Sequence, residues 1–252
     1  MSWPLPHAPD VTLLQSKFSF LNLATTKLNG LVIKLKGHVT GRPLLVLINP
    51  PKFTPEIRDA LQRLEAESEA KVEVILQPGD WHHFQLPDAQ ALFPDAALYV
   101  ASERNVRKQP AIGARAKVLD RNATSIPELG DEIRLIPWLG YSQDGMPKML
   151  SGEPRGAPRI EFAVFHVASG TLFVTDHFIF VGQMAGKPLR ANTGGFKLVD
   201  AAAARESVRR VLALNPRRLV TSHGGRDACV REAAEIAPAY DVLLEAHGVP
   251  PD

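Results

Sequence analysis

Short apolar runs alternate along the chain with segments in which apolar residues recur every three or four positions. PLLVLINP (43–50) is a continuous apolar run, typical of a strand that is buried on both faces, and KVEVIL (71–76) predicts the next strand. Between them, Thr54 is a good N-cap, Pro55 suits the first helical position, and apolar residues then repeat on one helical face. A helix between two strands predicts that the strands lie parallel to each other.

The same alternation continues on both sides of this unit. FSFLNLATTKL and GLVIKLKG predict a meander before it, and after it a helix is predicted from Asp88, followed by a strand at AALYVAS. EIRLIPWL then predicts a strand, and RIEFAVFHVASGTLFVTD (159–176) predicts a hairpin that turns at Ser-Gly. Asp200 can cap the next helix, RRLVTSHGG (217–225) predicts a strand, and the last helix is predicted over 227–247. Two strand-rich halves, each followed by helices, predict two mixed sheets packed face to face with helices outside, a four-layer αβ/βα sandwich.

Length and composition fit one domain. The chain has 252 residues, 45% of them hydrophobic, which is enough for a sizeable core. We therefore expect a single domain over 1–252, with residues 1–15 as a loosely structured N-terminal arm. Its 29 basic and 27 acidic residues are interspersed and give a net charge of +2, so nucleic acid is not an expected partner.

The single cysteine, Cys229, excludes an intrachain disulfide framework and fits a reducing compartment. MSWPLPHAPDVT lacks the basic and apolar regions of a signal peptide, and no apolar run nears the roughly 20 residues that a spanning helix needs. We expect a cytoplasmic protein with no membrane partner and a small-molecule substrate. The choice between a monomer and a homo-oligomer stays open.

Four side chains that can bind a metal follow the ends of predicted strands. They are His82, His83, Asp176 and His223. Binding groups in α/β proteins gather at the carboxyl ends of the strands. Imidazole and carboxylate groups there suit zinc, iron or manganese.

At these residues the sequence resembles the metallo-β-lactamase superfamily, over most of the chain from about Phe18 to Glu245. The resemblance rests on a histidine-bearing loop after a strand, a hairpin that ends in LFVTD, and a late strand that ends in TSHGG. In that family these three places carry a His-x-His-x-Asp-His loop, a metal-bridging aspartate and a final histidine. The fold that the resemblance implies is the metallo-β-lactamase fold.

The loop departs from the family's pattern. In PGDWHH (78–83), Pro78 and Asp80 stand where the first two histidines belong, His82 stands where the aspartate belongs, and His83 is retained. SGEPRGAPRI (151–160) lacks the histidine that the family has before the hairpin. The sequence thus looks most like a divergent branch of the superfamily, the DUF4336-like group, with a degenerate metal-binding motif.

The resemblance implies one retained metal position, with one divalent ion, zinc or iron, held by His82, His83, Asp176 and His223. Each ligand has an alternative interpretation. His82 could instead orient His83, and His83 could cap the following helix. Asp176 could simply end its strand, and His223 could be an exposed residue of a glycine turn.

Other polar residues near these loops are weaker candidates for a role in the site. Asp80 could accept a proton from an attacking water as a catalytic base, or could belong to an ordinary turn. Arg155 and Arg159 would lie near the rim, where they could meet an anionic group or simply be solvated. His166 and Cys229 are expected to be buried core residues.

Three functions remain in consideration. The first is a metal-dependent hydrolase with a mononuclear site, acting on an ester, thioester, lactone or similar compound. The second is a non-catalytic protein of the same fold, with a binding or scaffold role, that has lost the dinuclear site. The third is redox chemistry at one iron, because two histidines and a carboxylate suit Fe(II).

Overall fold

The computed structural model describes residues 1–20, 24–37, 39–145, 152–178, 187–194 and 196–249. Two large β-sheets pack face to face, and helices cover the outer face of each sheet. This arrangement confirms the predicted four-layer αβ/βα sandwich.

The first sheet contains, within the described residues, seven strands that lie side by side in chain order. They are β1 (Ser2–Leu5), β2 (Ala8–Phe20), β3 (Ala24–Leu35), β4 (Leu44–Ile48), β5 (Val72–Gln77), β6 (Ala97–Val100) and β7 (Ala116–Val118). Strands β1 to β4 pair antiparallel, and β4 to β7 pair parallel. The helices that follow the parallel strands are α1 (Pro55–Ser68), α2 (Leu86–Leu92) and α3 (Glu103–Lys108). The predicted meander and the predicted parallel pair β4 and β5 are therefore confirmed.

The second sheet is built from the second half of the chain. Its strands are β8 (Ile133–Pro137), β10 (Phe162–His166), β11 (Thr171–Val174), β13 (Arg218–Thr221) and β14 (Val230–Glu232), and β9 (Tyr141–Ser142) pairs separately with β12 (Lys197–Leu198). In space the order is β14-β13-β11-β10-β8, with β11 and β13 parallel and the other neighbours antiparallel. Among the described residues of this half, the α-helices are α4 (Ala201–Ala213), α5 (Arg226–Cys229) and α6 (Ala233–Ala246).

Three apolar clusters hold the layers together. The cluster between the sheets takes residues such as Leu31 and Val46 from the first sheet and Phe173 from the second. A second cluster joins the outer face of the second sheet to α4 and α6, and a third joins the outer face of the first sheet to α1 and α2. Burial of a large apolar side chain contributes roughly 1.5–3 kcal/mol, so these clusters supply the main stabilisation of the layers.

The N-terminal residues differ from the expectation. A loosely structured arm over residues 1–15 is wrong, because β1 and the start of β2 form a regular antiparallel pair at the edge of the first sheet. Leu5, Val11 and Leu13 are buried in the cluster between the sheets. The burial of these apolar residues explains why the segment is held in the sheet.

The last predicted helix is divided. Instead of one helix over 227–247, the short α5 and the long α6 are separated by β14, which pairs with β13. Val230 and Arg231 lie opposite Val220 and Leu219 of β13, and Cys229 is fully buried. The helix caps agree better with the prediction. Thr54 occupies the N-cap position of α1, although its side chain makes no capping hydrogen bond, and the carboxylate of Asp200 accepts a hydrogen bond from the Ala203 amide of α4 at 3.0 Å. None of the helices in the described ranges is long and apolar enough to cross a membrane.

Gly30 of β3 lies tightly against the end of β4 and the residue that follows it. A Cβ atom at Gly30 would collide with the carbonyl oxygens of Asn49 and Ile48. We expect Gly30→Ala to lower the free energy of unfolding by about 1–3 kcal/mol, the usual cost of overpacking. Urea unfolding followed by circular dichroism measures this change.

Gly194→Ala is the matched control, because a Cβ atom at Gly194 has no neighbour within 4 Å. It should change the free energy of unfolding by no more than about 0.5 kcal/mol. Equal effects of the two substitutions would contradict the packing that we describe around Gly30.

Candidate metal centre

Loops that follow three strands meet at one edge of the sandwich. His82 follows β5, Asp176 follows β11 and His223 follows β13. The amide of Asn29 in β3 donates to the carbonyl of Ser222 at 2.6 Å, so this edge of the first sheet is tied directly to the loop that carries His223. The predicted gathering of polar groups at the carboxyl ends of the strands is present here.

Three ligand atoms form a nearly equilateral triangle. The Nε2 atom of His82 lies 3.0 Å from Oδ1 of Asp176, Nε2 of His223 lies 3.2 Å from the same oxygen, and the two Nε2 atoms are 3.1 Å apart. A tetrahedral zinc ion with bonds of about 2.0–2.1 Å places its ligand atoms about 3.3 Å from one another. The triangle therefore fits a zinc ion with only a small outward movement of each ligand.

Asn49 fixes the tautomer of His82. The side-chain amide nitrogen of Asn49 donates to the carbonyl of Asn29 at 2.6 Å, so the amide oxygen faces Nδ1 of His82, at 2.9 Å. An oxygen acceptor at this distance keeps the proton on Nδ1. In the neutral imidazole, Nε2 of His82 then carries a lone pair, which is the form that binds metals.

This tautomer makes the contact between His82 and Asp176 informative. The lone pair of Nε2 and the carboxylate oxygen Oδ1 are both acceptors, yet the two atoms lie 3.0 Å apart. Two buried acceptors at hydrogen-bond distance need a positive charge between them, either a second proton on His82 or a metal ion. The residues present therefore fit a metal ion.

The other oxygen of Asp176 is bound to an arginine. Oδ2 accepts from Nη2 of Arg159 at 2.8 Å, and the same Nη2 also binds Oε1 of Glu161. Burial alone would raise the pKa of Asp176, but the charges and hydrogen bonds of His82, His223 and Arg159 outweigh it and hold the pKa well below its usual range. Asp176 is thus an ionised carboxylate that faces cations or imidazoles on both sides.

Burial also sets the state of His223. It lowers the pKa of His223 below its usual value, although the hydrogen bond to Asp176 opposes this shift. The neutral imidazole is the form that can donate a nitrogen lone pair to a metal. Among the described residues, His82, Asp176 and His223 form the one group of three with ligand atoms close enough to hold an ion.

The fourth predicted ligand, His83, is not part of this group. Its Nδ1 lies 3.2 Å from the amide nitrogen of Gln109, and its ring packs on Phe84 at 4.4 Å between centroids. Burial, and then the positive charge of Arg104, lower the pKa of His83 to about 3, so the ring stays neutral. His83 does not cap α2 with its side chain either, because Gln85 is the N-cap.

Asp80, the predicted catalytic base, is buried and fully engaged. Its carboxylate accepts from the hydroxyl of Ser102, from the side-chain amide of Gln143 at 2.6 Å and from the backbone amide of Ile160 at 2.9 Å. Burial raises its pKa, while Arg159 and these hydrogen bonds oppose the rise. Asp80 links three segments beneath the centre, and this geometry does not support a role as proton acceptor.

Arg159 lies in a different place from the one expected. It is 2% exposed and binds Asp176, so a position at the rim is wrong for this residue. His166 is buried and hydrogen bonded to Ser169 at 2.8 Å, and Cys229 is fully buried with its pKa raised to about 12, mainly by burial. Both are core residues, as the sequence predicts.

A small open cleft lies next to the ligands. Its described lining consists of Leu28, Trp81, His82, Phe84, Gln85 and His223. Phe84 is half exposed there, and the indole nitrogen of Trp81 donates to Gln143 at 3.0 Å, which fixes the ring as a wall of the cleft. The described wall beside the two histidines is therefore largely apolar and holds one amide.

Solved structures of the same architecture superpose on most of the chain. A metallo-β-lactamase from Erythrobacter litoralis has a TM-score of 0.59 and 14% identity, over 96% of this chain and 91% of that one. The metallo-β-lactamase FIM-1 from Pseudomonas aeruginosa, solved in a mono-zinc form, has a TM-score of 0.60 and 13% identity, over 94% and 92% of the two chains. A putative diflavin flavoprotein fragment from a Nostoc species reaches 0.62 at 15% identity, over 98% and 96%. This chain has the metallo-β-lactamase fold.

No protein-family model and no curated protein matches the sequence. The likeness of the solved structures therefore establishes the fold, and the assignment to the DUF4336-like branch stays a prediction. The histidine and aspartate group that we describe is a property of this chain's own residues.

The sequence analysis missed two residues of the centre. Asn49 directly follows β4 at the same edge as the ligands, so the rule that indicates His82 and His223 could have indicated it as well. Glu161 lies one residue before β10 and is fully buried, a position that only the three-dimensional structure reveals.

Removal of the group that fixes the His82 tautomer should weaken metal binding. We expect Asn49→Ala to raise the dissociation constant for Zn²⁺ about 10- to 100-fold, the usual effect of losing a hydrogen bond that orients a ligand. Competition with a chromophoric chelator measures this constant. The control is Asn122→Ala at an exposed position, which should leave the constant unchanged, and equal constants in both variants would contradict the role of Asn49.

Proposed function

We propose that the protein is a metal-dependent hydrolase in which His82, Asp176 and His223 hold one divalent ion, zinc or iron. The observation that carries this proposal is the 3.0 Å contact between Nε2 of His82 and Oδ1 of Asp176, made while Nδ1 of His82 faces the amide oxygen of Asn49. A metal ion between the two atoms would be bound by both of them. It would also be bound by Nε2 of His223, which lies 3.1 Å from Nε2 of His82. The metallo-β-lactamase fold, and a neighbour of that fold solved with one zinc, support the same interpretation.

The ligand set suits catalysis more than a purely structural site. Structural zinc sites use four protein ligands, whereas catalytic sites use three and keep a position open for water or substrate. A bound ion supplies Lewis acidity, which lowers the pKa of water and polarises a carbonyl oxygen. With three ligands beside an open cleft, this chain matches the catalytic type.

The residues of the cleft orient the substrate in this proposal. Trp81 and Phe84 offer apolar surface for an acyl or aryl group, and Gln85 offers an amide that can hydrogen bond to a neutral polar group. The apolar wall also excludes water from the part of the substrate next to the ligands, which strengthens electrostatic interactions there. A small uncharged ester, thioester or lactone is the substrate class that these groups fit.

A non-catalytic role is the second candidate, and the ion pair of Asp176 with Arg159 favours it. At 2.8 Å the guanidinium already compensates the carboxylate, so a doubly protonated His82 could complete the charge balance with no metal present. The protein would then be a binding or scaffold protein of the same fold. Metal content distinguishes the two candidates.

Substitution of single ligands tests the proposed site. His82→Ala and His223→Ala should each remove most of the bound metal, because two remaining ligands bind zinc weakly. His83→Ala is the matched control, since His83 is the adjacent histidine and lies outside the group. We expect about one ion per chain in the wild type and in His83→Ala, measured by ICP-MS on untagged protein.

Circular dichroism of each variant separates a loss of metal from a loss of fold. Hydrolysis of a panel of aryl esters, thioesters and lactones should fall with metal content across the same variants. A wild-type protein that takes up neither zinc nor iron, with the fold intact, would contradict the hydrolase and favour the non-catalytic role.

A further inference from the structure

A second cluster of buried polar groups lies directly behind the proposed ligands. Glu161 and His177 are both fully buried, with Nε2 of His177 at 3.6 Å from Oε2 of Glu161. Within the part of the chain that the structure describes, Oε2 of Glu161, both ring nitrogens of His177 and the hydroxyl of Thr175 have no hydrogen-bond partner. Buried polar atoms without partners are rare and costly, so such a concentration beside a functional site needs an explanation.

Arg159 stands in the middle of this cluster. One atom, Nη2, contacts Oδ2 of Asp176 at 2.8 Å and also contacts Oε1 of Glu161. A divalent ion that bridged the two carboxylates would have to lie close to the place that Nη2 occupies. The guanidinium therefore supplies positive charge at a position where the surrounding ligands would suit a cation.

The guanidinium is also held in place from the sides. Its carbon lies 4.7 Å from the ring centroid of Phe196 and 5.5 Å from that of Trp81, both within the range of cation–π contact. The Arg159 side chain is 2% exposed and binds two carboxylates, so it is held inside the protein. A small ion in solution would have to break two buried ion pairs to displace it.

We infer that Arg159 is a built-in cation that occupies the place of a second metal ion and so limits the centre to one ion. This inference rests on the proposed function, because it assumes that the first ion binds Oδ1 of Asp176. Arg159 acts as a positioning residue: it holds Oδ2, so Asp176 binds the ion through one oxygen only. Without Arg159, the carboxylates of Asp176 and Glu161 would face the vacated position with no cation between them, and carboxylate oxygens are ligands that zinc or cobalt can bind.

Titration with Co²⁺ tests the inference, because its visible absorption reports both the number of ions and their coordination. The wild type should reach its end point at one ion per chain, and Arg159→Ala should reach two. Arg155→Ala removes an exposed arginine four residues away and should stay at one. The double substitution Arg159→Ala with Glu161→Gln removes a carboxylate of the uncovered set and should return the end point to one.

The outcomes separate the inference from the proposed function. One ion in the wild type and still one in folded Arg159→Ala would overturn the inference and leave the proposed function intact. Two ions bound to the wild type would also overturn the inference and leave the proposed function intact. No ion in the wild type would overturn the proposed function and the inference with it.

A measurement on the wild type covers the case in which Arg159→Ala does not fold. X-ray absorption of protein incubated with excess zinc should give one zinc with two imidazoles and a carboxylate bound through one oxygen, and no metal–metal scattering. A metal–metal distance of about 3.5–4 Å, as in two-metal sites, would overturn the inference.

Discussion

The centre of this protein depends on the charge of one buried carboxylate. Asp176 faces an imidazole nitrogen through one oxygen and a guanidinium through the other, and it is largely buried, so water screens its charge only weakly. The amide oxygen of Asn49 accepts from Nδ1 of His82 and so keeps the imidazole proton there. The proton is therefore not on Nε2, the nitrogen that faces the carboxylate. The proposed metal ion next to Oδ1 and Arg159 next to Oδ2 would together account for the convergence of polar groups at this edge of the sandwich.

The general location of the centre follows from the sequence because it depends on local patterns. Continuous apolar runs identify the buried strands, and the first polar residues after a buried parallel strand must lie at its carboxyl edge. That rule indicates Asp176 and His223, and it also indicates the loop that carries His82. The four layers follow from the same runs together with the amphipathic helices between them.

The detailed roles do not follow from the sequence, because they depend on side-chain direction and on contacts between distant segments. His82 and His83 are adjacent, and no pattern in the loop tells which ring turns toward Asp176. The sequence predicts Asp80 to be a turn residue or a base. In the structure, its carboxylate accepts hydrogen bonds from residues that lie 22 to 80 positions away along the chain. Arg159 looks like a surface arginine until its two carboxylate partners come together from the two strands of a hairpin.

Anomalous diffraction from zinc-soaked crystals, recorded on both sides of the zinc absorption edge, tests the central claim most directly. The account predicts one peak at about 2.0–2.2 Å from Nε2 of His82, Nε2 of His223 and Oδ1 of Asp176, with Arg159 still bound to Oδ2. It also predicts that His83 is not a ligand. A peak coordinated by His83, or the absence of any peak between the three ligand atoms while His82 keeps its contact with Asp176, would contradict it.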